Sequence, residues 1–551
     1  MDGKDKRERV LRELIQEQAK ENDMIVAAIV NGEIKSLGDT IDEGQTPVWV
    51  HLSDSIGERV YRRSVLFLAI VAMRELYGAA DTELIVRASL NGGLYCDLIL
   101  PGGVTDGTVT AIEVQMRAIV KENRAIRKRV VSKEEAVRLF KATRQIPKAN
   151  LLNMLPEEDV VLHTCGEQYD SLYGVMLDKT GELGCFDLKR INNGVLLRMP
   201  SGGQGLFLRP PIAQPKFTQT LKESKQWAKI LHCEYMPDLN RSIQLGQTGD
   251  LIRVSEALHE KKIAEIADRI AAGIKKARLI MIAGPSSSGK TSFAQRLKVQ
   301  LRVNGLTPVS ISLDDYFVNR KETPLTPEGA YDYESLRALN VELFNEHLVA
   351  LMQGKEVALP RYDFVTGERE DGARPNFSIA PEQPIIVEGI HGLNEELTHA
   401  VPRDEKFKIY VSALTQLNID MHNRIPTTDA RFVRRLVRDY QFRASSAIKT
   451  LRQWRDVRKG EEKNIFPYQE DADAVFNSAL IYELAVLKKY AVPLLSAVAP
   501  HEAGYTDAQN ILRFLTQFGS IEDESDIPNN SILREFIGKS CFFTSTGDLK
   551  E

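Results

Sequence analysis

One short segment of the sequence combines residue types that bind phosphate. It runs from Gly284 to Thr291, reads GPSSSGKT, and satisfies the pattern G-x-x-x-x-G-K-[ST]. The apolar run at 279–283 predicts a strand before it, and SFAQRLKVQLRVN predicts a helix after it, which is the context that this motif requires. Glycines let such a loop curl closely around phosphates, with its amide groups pointing inward at the helix N-terminus.

The side chains of this segment indicate a nucleoside triphosphate as the ligand. Lys290 would place its charge on the β and γ phosphates, and the Thr291 hydroxyl would bind Mg²⁺. A chance match in a loop is the alternative, and the flanking strand and helix argue against it. We therefore expect ATP and Mg²⁺ as cofactors, with these binding residues: Gly284, Ser286, Ser287, Ser288, Gly289, Lys290, Thr291 and Ser292.

Carboxylates follow two further predicted strands. Asp314 and Asp315 come after the run at 309–313, and Glu388 ends the run at 384–389. Ligands of open α/β sheets sit at the carboxyl ends of strands, where an acid could take a proton from a hydroxyl or hold Mg²⁺. An Asp pair after a strand can also be a plain turn or helix cap. The sequence does not separate Asp314 from Asp315 as the reactive group.

A basic segment, RFVRRLVRDYQFR at 431–443, carries arginines on one side of a predicted helix: Arg431, Arg434, Arg435 and Arg438. Two interpretations remain open. The face could be solvated, or it could form a lid that closes on phosphate, where arginine stabilises spreading negative charge and closure excludes water.

These motifs, in this order, resemble the uridine kinase and phosphoribulokinase family of P-loop kinases over about 255–500. The phosphate loop and the segment SLDDYF resemble the family's P-loop and its catalytic aspartate segment. The other matching segments are YDYES (331–335), PRYDF (360–364), VEGIHGL, RRLVRD (434–439) and ADAVFNS (472–478).

The resemblance implies roles for individual residues. Asp314 would be the general base and a water-mediated neighbour of Mg²⁺, with Glu388 as the second acidic group near the metal. Asp332 would bind the ribose diol, and Tyr362 would pack near the base. Two arginines are expected to clamp the acceptor and the transferred phosphate: Arg438 and Arg443. The expected catalytic set is Lys290, Asp314 and Arg438, and the expected metal set is Thr291, Glu388 and Asp314.

The sequence departs from the family pattern at two places. Gly367 stands where uridine–cytidine kinases carry a histidine that reads the pyrimidine, and Ser445 replaces another lid arginine. The leading expectation is still phosphoryl transfer to the 5′-hydroxyl of a nucleoside, as in uridine kinase. The alternatives are a kinase of the same fold acting on a sugar, polyol or vitamin precursor, and a regulatory RNA-binding NTPase.

The N-terminal half resembles the TGS module and the editing-type domain of threonyl-tRNA synthetases. NGEIKSLGDTI is similar to TGS text, while YRRSVLFLAIVAMRELYG and HTCGEQY (163–169) resemble the two metal-binding segments of the editing domain. Of those four ligand positions only Cys165 is kept, because the histidines are replaced by Arg63, Phe67 and Tyr169. We therefore expect neither zinc nor hydrolytic editing, and a scaffold or regulatory role instead.

A basic stretch at 118–148 is the one candidate RNA contact in that half. Its cations are Lys121, Arg124, Arg127, Lys128, Arg129, Lys133, Arg138, Lys141 and Arg144. They could bind RNA phosphates, or form a solvated helix face with Glu122, Glu134 and Glu135. No aromatic cluster for base stacking accompanies them, so RNA binding is not favoured.

The organisation of the chain predicts an α/β, doubly wound, parallel-sheet P-loop kinase domain preceded by α+β modules. The expected divisions are an N-terminal helix and TGS-like module (1–53), an editing-like domain (54–215), a linker (216–254), the kinase domain (255–523) and a tail packed on it (524–551). Length alone requires several cores, since 551 residues exceed what one core supports.

Composition and charge limit the cellular location and the partners that we expect for this chain. The formal net charge of −4 argues against a chain built to coat nucleic acid, and five scattered cysteines without a C-x-x-C pair suit a reducing compartment. The N-terminus lacks the apolar region of a signal peptide, and the longest apolar run, Val65 to Met73, is about half of a membrane span. We expect a cytoplasmic homo-oligomer with a small-molecule acceptor and no membrane partner.

Overall fold

The computed structural model describes residues 8–17, 23–90, 92–201, 203, 205–210, 212–326, 329–363, 365–544 and 549. The strands of its N-terminal part are β1 (Glu8–Val10), β2 (Ile25–Val30), β3 (Glu33–Lys35), β4 (Thr40–Asp42), β5 (Val48–His51), β6 (Glu83–Leu90), β7 (Gly93–Ile99), β8 (Arg127–Ser132), β9 (Asp159–Cys165), β10 (Gln168–Asp170), β11 (Asp187–Ile191) and β12 (Gly194–Arg198). The helices of this part are α1 (Ser55–Tyr77), α2 (Asp106–Glu122), α3 (Lys133–Ala142) and α4 (Ile146–Met154).

Antiparallel sheets and one buried helix organise the N-terminal part. The sheet β3-β2-β5 contains a hairpin turn at Asn31-Gly32, where both residues have positive φ (52° and 81°), as an Asn-Gly turn favours. A second sheet has the order β11-β12-β7-β6. The apolar run Val65 to Met73 lies in the middle of α1 and is buried throughout, so it is the central core element of this part.

The N-terminal helix expected at the start of the 1–53 module, over residues 1–22, is wrong where the structure describes it. Residues 8–10 form β1, which pairs with β4, and Leu11–Glu17 is a 3₁₀ helix. Tertiary contacts explain the difference, because Leu11 is fully buried and Arg12 donates to Asp178 at 2.7 Å. The remainder of 1–22 lies outside the described residues.

The segment 216–254, expected as a linker, is helical. It contains α5 (Pro215–Ile230), α6 (Met236–Gln244) and the start of α7 (Thr248–Gly273). Buried side chains such as Met236, Leu239 and Ile252 join the core that surrounds the parallel sheet. These apolar positions hold the segment against the C-terminal part, which a linker would not do.

The C-terminal part alternates strands and helices. Its strands are β13 (Leu279–Ala283), β14 (Val309–Ser312), β15 (Arg361–Asp363), β16 (Glu368–Glu370), β17 (Ile385–Glu388), β18 (Lys406–Ser412) and β19 (Ala474–Asn477). Its helices are α8 (Lys290–Val303), α9 (Val341–Met352), α10 (Thr427–Arg443), α11 (Ala447–Asn464), α12 (Glu483–Ser496), α13 (Tyr505–Leu515) and α14 (Arg534–Ile537).

A five-stranded parallel sheet of order β14-β17-β13-β18-β19 forms the centre of this part and confirms the predicted α/β class. Its strands are short, and all except the edge strand β14 are largely buried, with core clusters on both faces, as expected for a doubly wound sheet. The register pairs Ile282 and Ser312 with Glu388 on β17. The carboxyl ends of β13, β14 and β17 therefore meet at one edge.

The C-terminal tail packs on this part, as predicted. Ile532, Leu533 and Phe536 are buried in the core that surrounds the sheet. Residues 545–548, 550 and 551 of the predicted tail lie outside the described residues. Of the helices that the structure describes, none is long and apolar enough to cross a bilayer.

Candidate active site

The phosphate-binding loop connects β13 to α8 in a conformation that needs its glycines. Gly289 has φ 80°, and a Cβ there would lie 2.5 Å from Cγ2 of Ile532 in the tail. A Cβ on Gly284 would lie 2.0 Å from the carbonyl oxygen of Val411 on β18. The loop is therefore pressed between β18 and the tail, and only glycine fits at these two positions.

Arginines of α10 hold this loop from behind. Arg431 donates to the Ser286 carbonyl at 3.0 Å and forms a buried ion pair with Glu461 at 2.5 Å. Arg434 donates to the Ser287 carbonyl at 3.4 Å. Both guanidinium groups are almost completely buried. Both interpretations made from the sequence are wrong for Arg431 and Arg434. The two side chains lie neither on a solvated face nor in a lid over phosphate, because α11 and α12 cover that side of the helix.

The next arginines of α10 gather around one carboxylate. Asp439 is buried, accepts a hydrogen bond from Arg438 at 2.7 Å, and forms ion pairs with Arg435 at 3.1 Å and with Arg443 at 3.7 Å. Arg435 also donates to the Ser286 hydroxyl at 3.0 Å. Three cations held by one anion leave net positive charge beside the phosphate loop, which suits a phosphoryl group.

The metal-type residues of the sequence meet at the sheet edge. The Thr291 hydroxyl donates to Glu388 Oε1 at 2.8 Å. Burial raises the pKa of Glu388 to about 7, while Lys290 and the Thr291 hydroxyl act in the opposite direction. Asp314 contributes to the rise, so its charge lies close to this pair.

These oxygen donors fit Mg²⁺. Within the described ranges, no group of three or more His, Cys, Asp or Glu could hold a metal ion without other ligands. Thr291 and Glu388 supply oxygens only, and Mg²⁺ is commonly bound by one or two such groups together with phosphates and water.

Asp314 and Asp315 point to different partners. The Asp315 carboxylate forms an ion pair with Arg374 at 2.7 Å. Asp314 is solvent-accessible, and its pKa is raised because protein atoms crowd it, although Lys290 and Arg443 lower it. Asp314 therefore faces the phosphate loop, whereas Asp315 is neutralised on the other side.

The expected acceptor residues line a neighbouring aromatic wall. Phe317 stands 5.5 Å from the Tyr362 ring and 6.1 Å from the Tyr333 ring. Asp332 is half-buried and directly follows Tyr331, whose ring is 6.0 Å from the Tyr333 ring. Phe364, the last residue of the predicted PRYDF segment, lies outside the described residues.

Gly367 sits in a tight turn filled by an arginine. Its φ is 75°, and a Cβ would lie 2.5 Å from Nε of Arg320. The Gly367 carbonyl accepts from the backbone N–H of Arg320 at 2.8 Å. A histidine at this position would collide with Arg320. The packing of Arg320 therefore requires glycine where uridine–cytidine kinases carry a histidine.

Three residues of the site were not predicted from the sequence. Glu334 is half-buried, and burial together with Glu461 raises its pKa to about 7. His391 is buried close to Asp332, and burial lowers its pKa to about 4. Glu535 of α14 accepts from the Ser292 hydroxyl at 2.7 Å. Glu334 and His391 lie inside quoted motifs, but Glu535 comes from the tail and carries no local signal.

In the N-terminal part, the four positions that correspond to metal ligands of editing domains hold side chains that pack or form hydrogen bonds within the protein. Phe67 and Cys165 are buried in the same core, and burial raises the pKa of the Cys165 thiol. Arg63 donates to the Val175 carbonyl at 2.5 Å, and the Tyr169 hydroxyl donates to the Leu139 carbonyl at 3.3 Å. These side chains fill the space between the segments and offer no open ligand set.

The basic stretch at 118–148 is not one helix. Arg127–Ser132 forms β8 between α2 and α3 and pairs with β9. Several of its cations form ion pairs: Lys128 with Asp39, Arg129 with Glu135, Arg124 with Glu75 and Lys133 with Glu158. The paired cations fit the solvated-face interpretation better than an RNA surface.

Comparison with known families supplies the decisive observation. Residues 279–484 match the Phosphoribulokinase / Uridine kinase family. This kinase region contains the phosphate loop, Asp314, Glu388 and the arginines of α10. The resemblance predicted for the C-terminal part is confirmed, and it supports a P-loop kinase, and hence a phosphotransferase, in this region.

The N-terminal part matches threonine–tRNA ligases, which confirms the second resemblance. The ligase of Acidithiobacillus ferrooxidans is 30% identical over 167 residues, which are 30% of this chain and 26% of the ligase. That of Listeria monocytogenes is 30% identical over 234 residues, or 40% of this chain and 35% of the ligase. The chain thus spans about a third or less of these curated relatives.

Two solved structures are similar to part of this chain. A proposed fructose transport system kinase from Silicibacter sp. TM1040 is 16% identical, with 39% of this chain and 98% of that chain covered and a TM-score of 0.26. A possible uridine kinase from Bacillus stearothermophilus is 21% identical, with 39% and 100% covered and a TM-score of 0.25.

Proposed function

We propose that the chain transfers the γ-phosphoryl group of ATP to a hydroxyl of a small molecule, with the 5′-hydroxyl of a nucleoside as the leading acceptor. The observation that carries the proposal is the hydrogen bond from the Thr291 hydroxyl to Glu388 at the end of the phosphate loop. The charge of Lys290 acts on Asp314 at the same sheet edge. The family match of residues 279–484 supports the same reaction class.

Each site residue has a task in this reaction. The Asp314 carboxylate accepts the proton of the attacking hydroxyl, and its raised pKa makes it a better base than an ordinary aspartate. Lys290, Arg438 and Arg443 stabilise the charge that spreads over the transferred group. Mg²⁺, held by Thr291 and Glu388, would neutralise phosphate charge.

The acceptor assignment rests on the aromatic wall. The Phe317 and Tyr362 rings can pack against a flat base, and Asp332 can accept hydrogen bonds from a ribose diol. A second candidate, a kinase for another small alcohol, is favoured by the Gly367 turn, because Arg320 fills the place of the base-reading histidine.

An acceptor panel tests the proposal. Purified protein with ATP and Mg²⁺ is given nucleosides, sugars, polyols and vitamin precursors, and acceptor-dependent ADP release is measured. We expect turnover with a nucleoside; turnover with a different alcohol alone would select the second candidate. If no member of the panel supports turnover, the phosphotransferase proposal fails.

A matched pair of variants tests the base. Asp314→Asn keeps the shape of the side chain and should abolish transfer while ATP binding stays close to wild type. Asp315→Asn is the control, because that carboxylate is already paired with Arg374, and it should retain most activity. Equal losses in both variants would remove Asp314 as the base.

The domain divisions other than the linker at 216–254, a cytoplasmic location and a homo-oligomeric state are part of the same proposal. Scattered cysteines without a C-x-x-C pair support a reducing compartment. Light scattering of the purified chain would give its mass in solution, and a monomer at working concentration would refute the oligomer.

A further inference from the structure

A cluster of arginines lies where the N-terminal part meets the kinase region. Arg59, Arg62 and Arg63 share one face of α1, since they are spaced by three and four residues. Arg59 donates to Asp429 at 3.1 Å, which docks this face on the first turn of α10. Arg424, just before α10, donates to the Thr427 hydroxyl at 3.1 Å.

The carboxylates around this arginine cluster already have other partners. Glu58 accepts from the backbone N–H of Gly203 at 2.8 Å, and Asp429 is bound by Arg59 and by the Thr428 hydroxyl. Asp507, near Arg59, accepts from Arg455 at 3.3 Å. Glu58 still acts on Arg62, and Asp429 on Arg424, but these two carboxylates face four arginines, so the cluster keeps net positive charge.

Two guanidinium groups of the arginine cluster are incompletely satisfied. The Nε atoms of Arg62 and Arg424 are both buried and lack a hydrogen-bond partner among the described residues. Burial and the charge of Arg62 together lower the pKa of Arg424 to about 10, against the opposite effect of Asp429. Burial likewise lowers the pKa of Arg63 to about 9, with contributions from Arg59, Arg513 and Arg62.

Packing like charges together with too few counter-charges is costly, and the cost is relieved when an anion binds. We propose that the arginine cluster of Arg59, Arg62, Arg63 and Arg424 binds a small, multiply charged phosphate anion at a site separate from the phosphate loop. Guanidinium groups match phosphate oxygens in pairs, and several of them on one face suit an oligophosphate. The Arg59 side chain is 44% exposed, so the site is open to solvent on one side.

The position of the site links it to the kinase region. Asp429 and Thr427 begin α10, and Arg431 in the next turn donates to the Ser286 carbonyl of the phosphate loop. An anion that draws Arg62 and Arg424 together would bias the start of this helix. Binding there should therefore change ATP affinity, and typical couplings between two sites are about fivefold or more.

The test uses the full chain with Lys290→Ala, which weakens the phosphate loop as a competing site. Inorganic tripolyphosphate is titrated by calorimetry into this protein and into the same protein carrying Arg62→Ala and Arg424→Ala. We expect binding in the first and a loss of about tenfold or more in the second. Arg302→Ala, which removes an exposed arginine of α8, is the matched control and should bind normally.

Thermal unfolding separates this role from a purely structural one. Removing Arg62 and Arg424 should raise Tm in the absence of anion, because unpaired charges are removed, and should abolish the stabilisation by tripolyphosphate. If the alanine variant does not fold, Arg62→Lys with Arg424→Lys keeps the charge, loses the planar fork and should still bind more weakly.

Competition identifies the source of the phosphate. A nucleoside triphosphate that displaces tripolyphosphate at lower concentration would assign a nucleotide, and no advantage would assign an inorganic oligophosphate. Absent binding, an equal loss in Arg302→Ala, or preference for an RNA oligonucleotide over both small anions would overturn the proposal.

Discussion

Replacing Glu388 by glutamine should remove a pH-dependent instability from the metal-free protein. The pKa of this carboxyl is about 7 in the folded chain against an ordinary 4.5, because burial penalises its charge. Below 4.5 the group is protonated in both states and its contribution is neutral. Between 4.5 and 7 the folded state keeps the extra proton, so the free energy of unfolding falls as pH rises.

The size of this effect follows from the difference in pKa. A difference of about 2.5 corresponds to roughly 3 kcal/mol once the pH exceeds 7. Glu388→Gln keeps the hydrogen-bonding shape beside Thr291 but never ionises. The variant should therefore be more stable than wild type at pH 8 by about that amount, and the two should converge near pH 4.5.

Denaturant unfolding from pH 4.5 to 8.5, without Mg²⁺ and with Mg²⁺ plus ADP, measures both curves. Other groups titrate in this window, so the difference between the two proteins is the informative quantity. Glu382→Gln, an exposed acid just before β17, is the control and should follow wild type. Mg²⁺ with ADP should stabilise wild type more than Glu388→Gln. If the free energies of unfolding of wild type and Glu388→Gln ran parallel across the whole pH range, the raised pKa of the buried Glu388 carboxyl would be refuted.

Three further substitutions test the frame around this site. Arg434→Met should destabilise the fold by about 3–5 kcal/mol in denaturant unfolding, because Glu483 is left buried and unpaired; adding Glu483→Gln should recover part of the loss, and no recovery would contradict the reasoning. Gly289→Ala should cost roughly 2–4 kcal/mol by the same measurement, from its positive φ and the contact with Ile532; Ile532→Ala should relieve only the contact part, whereas full rescue would remove backbone strain as a cause. Arg438→Lys should lower kcat by about tenfold or more, since lysine keeps the charge but not the planar fork; an unchanged kcat would exclude Arg438 from the catalytic set.

Part of the site and of the fold could be predicted from short sequence motifs alone. The phosphate loop needs glycines, a lysine and a hydroxyl within eight consecutive residues, and its flanking strand and helix have clear periodicity. Glu388 and the Asp314–Asp315 pair could be predicted because an acidic residue directly after a run of apolar residues is easily recognised in the sequence. The parallel sheet followed from the same short runs.

Other features depend on which surfaces meet in space. The helical spacing of the α10 arginines is the same whether they face solvent, phosphate or protein, and only the packing of α11 and α12 decides that Arg431 and Arg434 are buried. Asp314 and Asp315 are adjacent in sequence, yet Arg374, distant in the chain, neutralises only one of them. Likewise the helices at 216–254 and the first residues of the chain take their structure from the cores that they join.

The sequence by itself thus determined the phosphate-binding motif and the class of the sheet, because both rest on short motifs and local periodicity. Only the tertiary structure decided which acid faces Lys290, brought Glu535 to the Ser292 hydroxyl and placed the arginines of α1 against the start of α10. These depend on contacts between residues far apart in the chain, and the energy of such contacts comes from burial and charge pairing that no local pattern records.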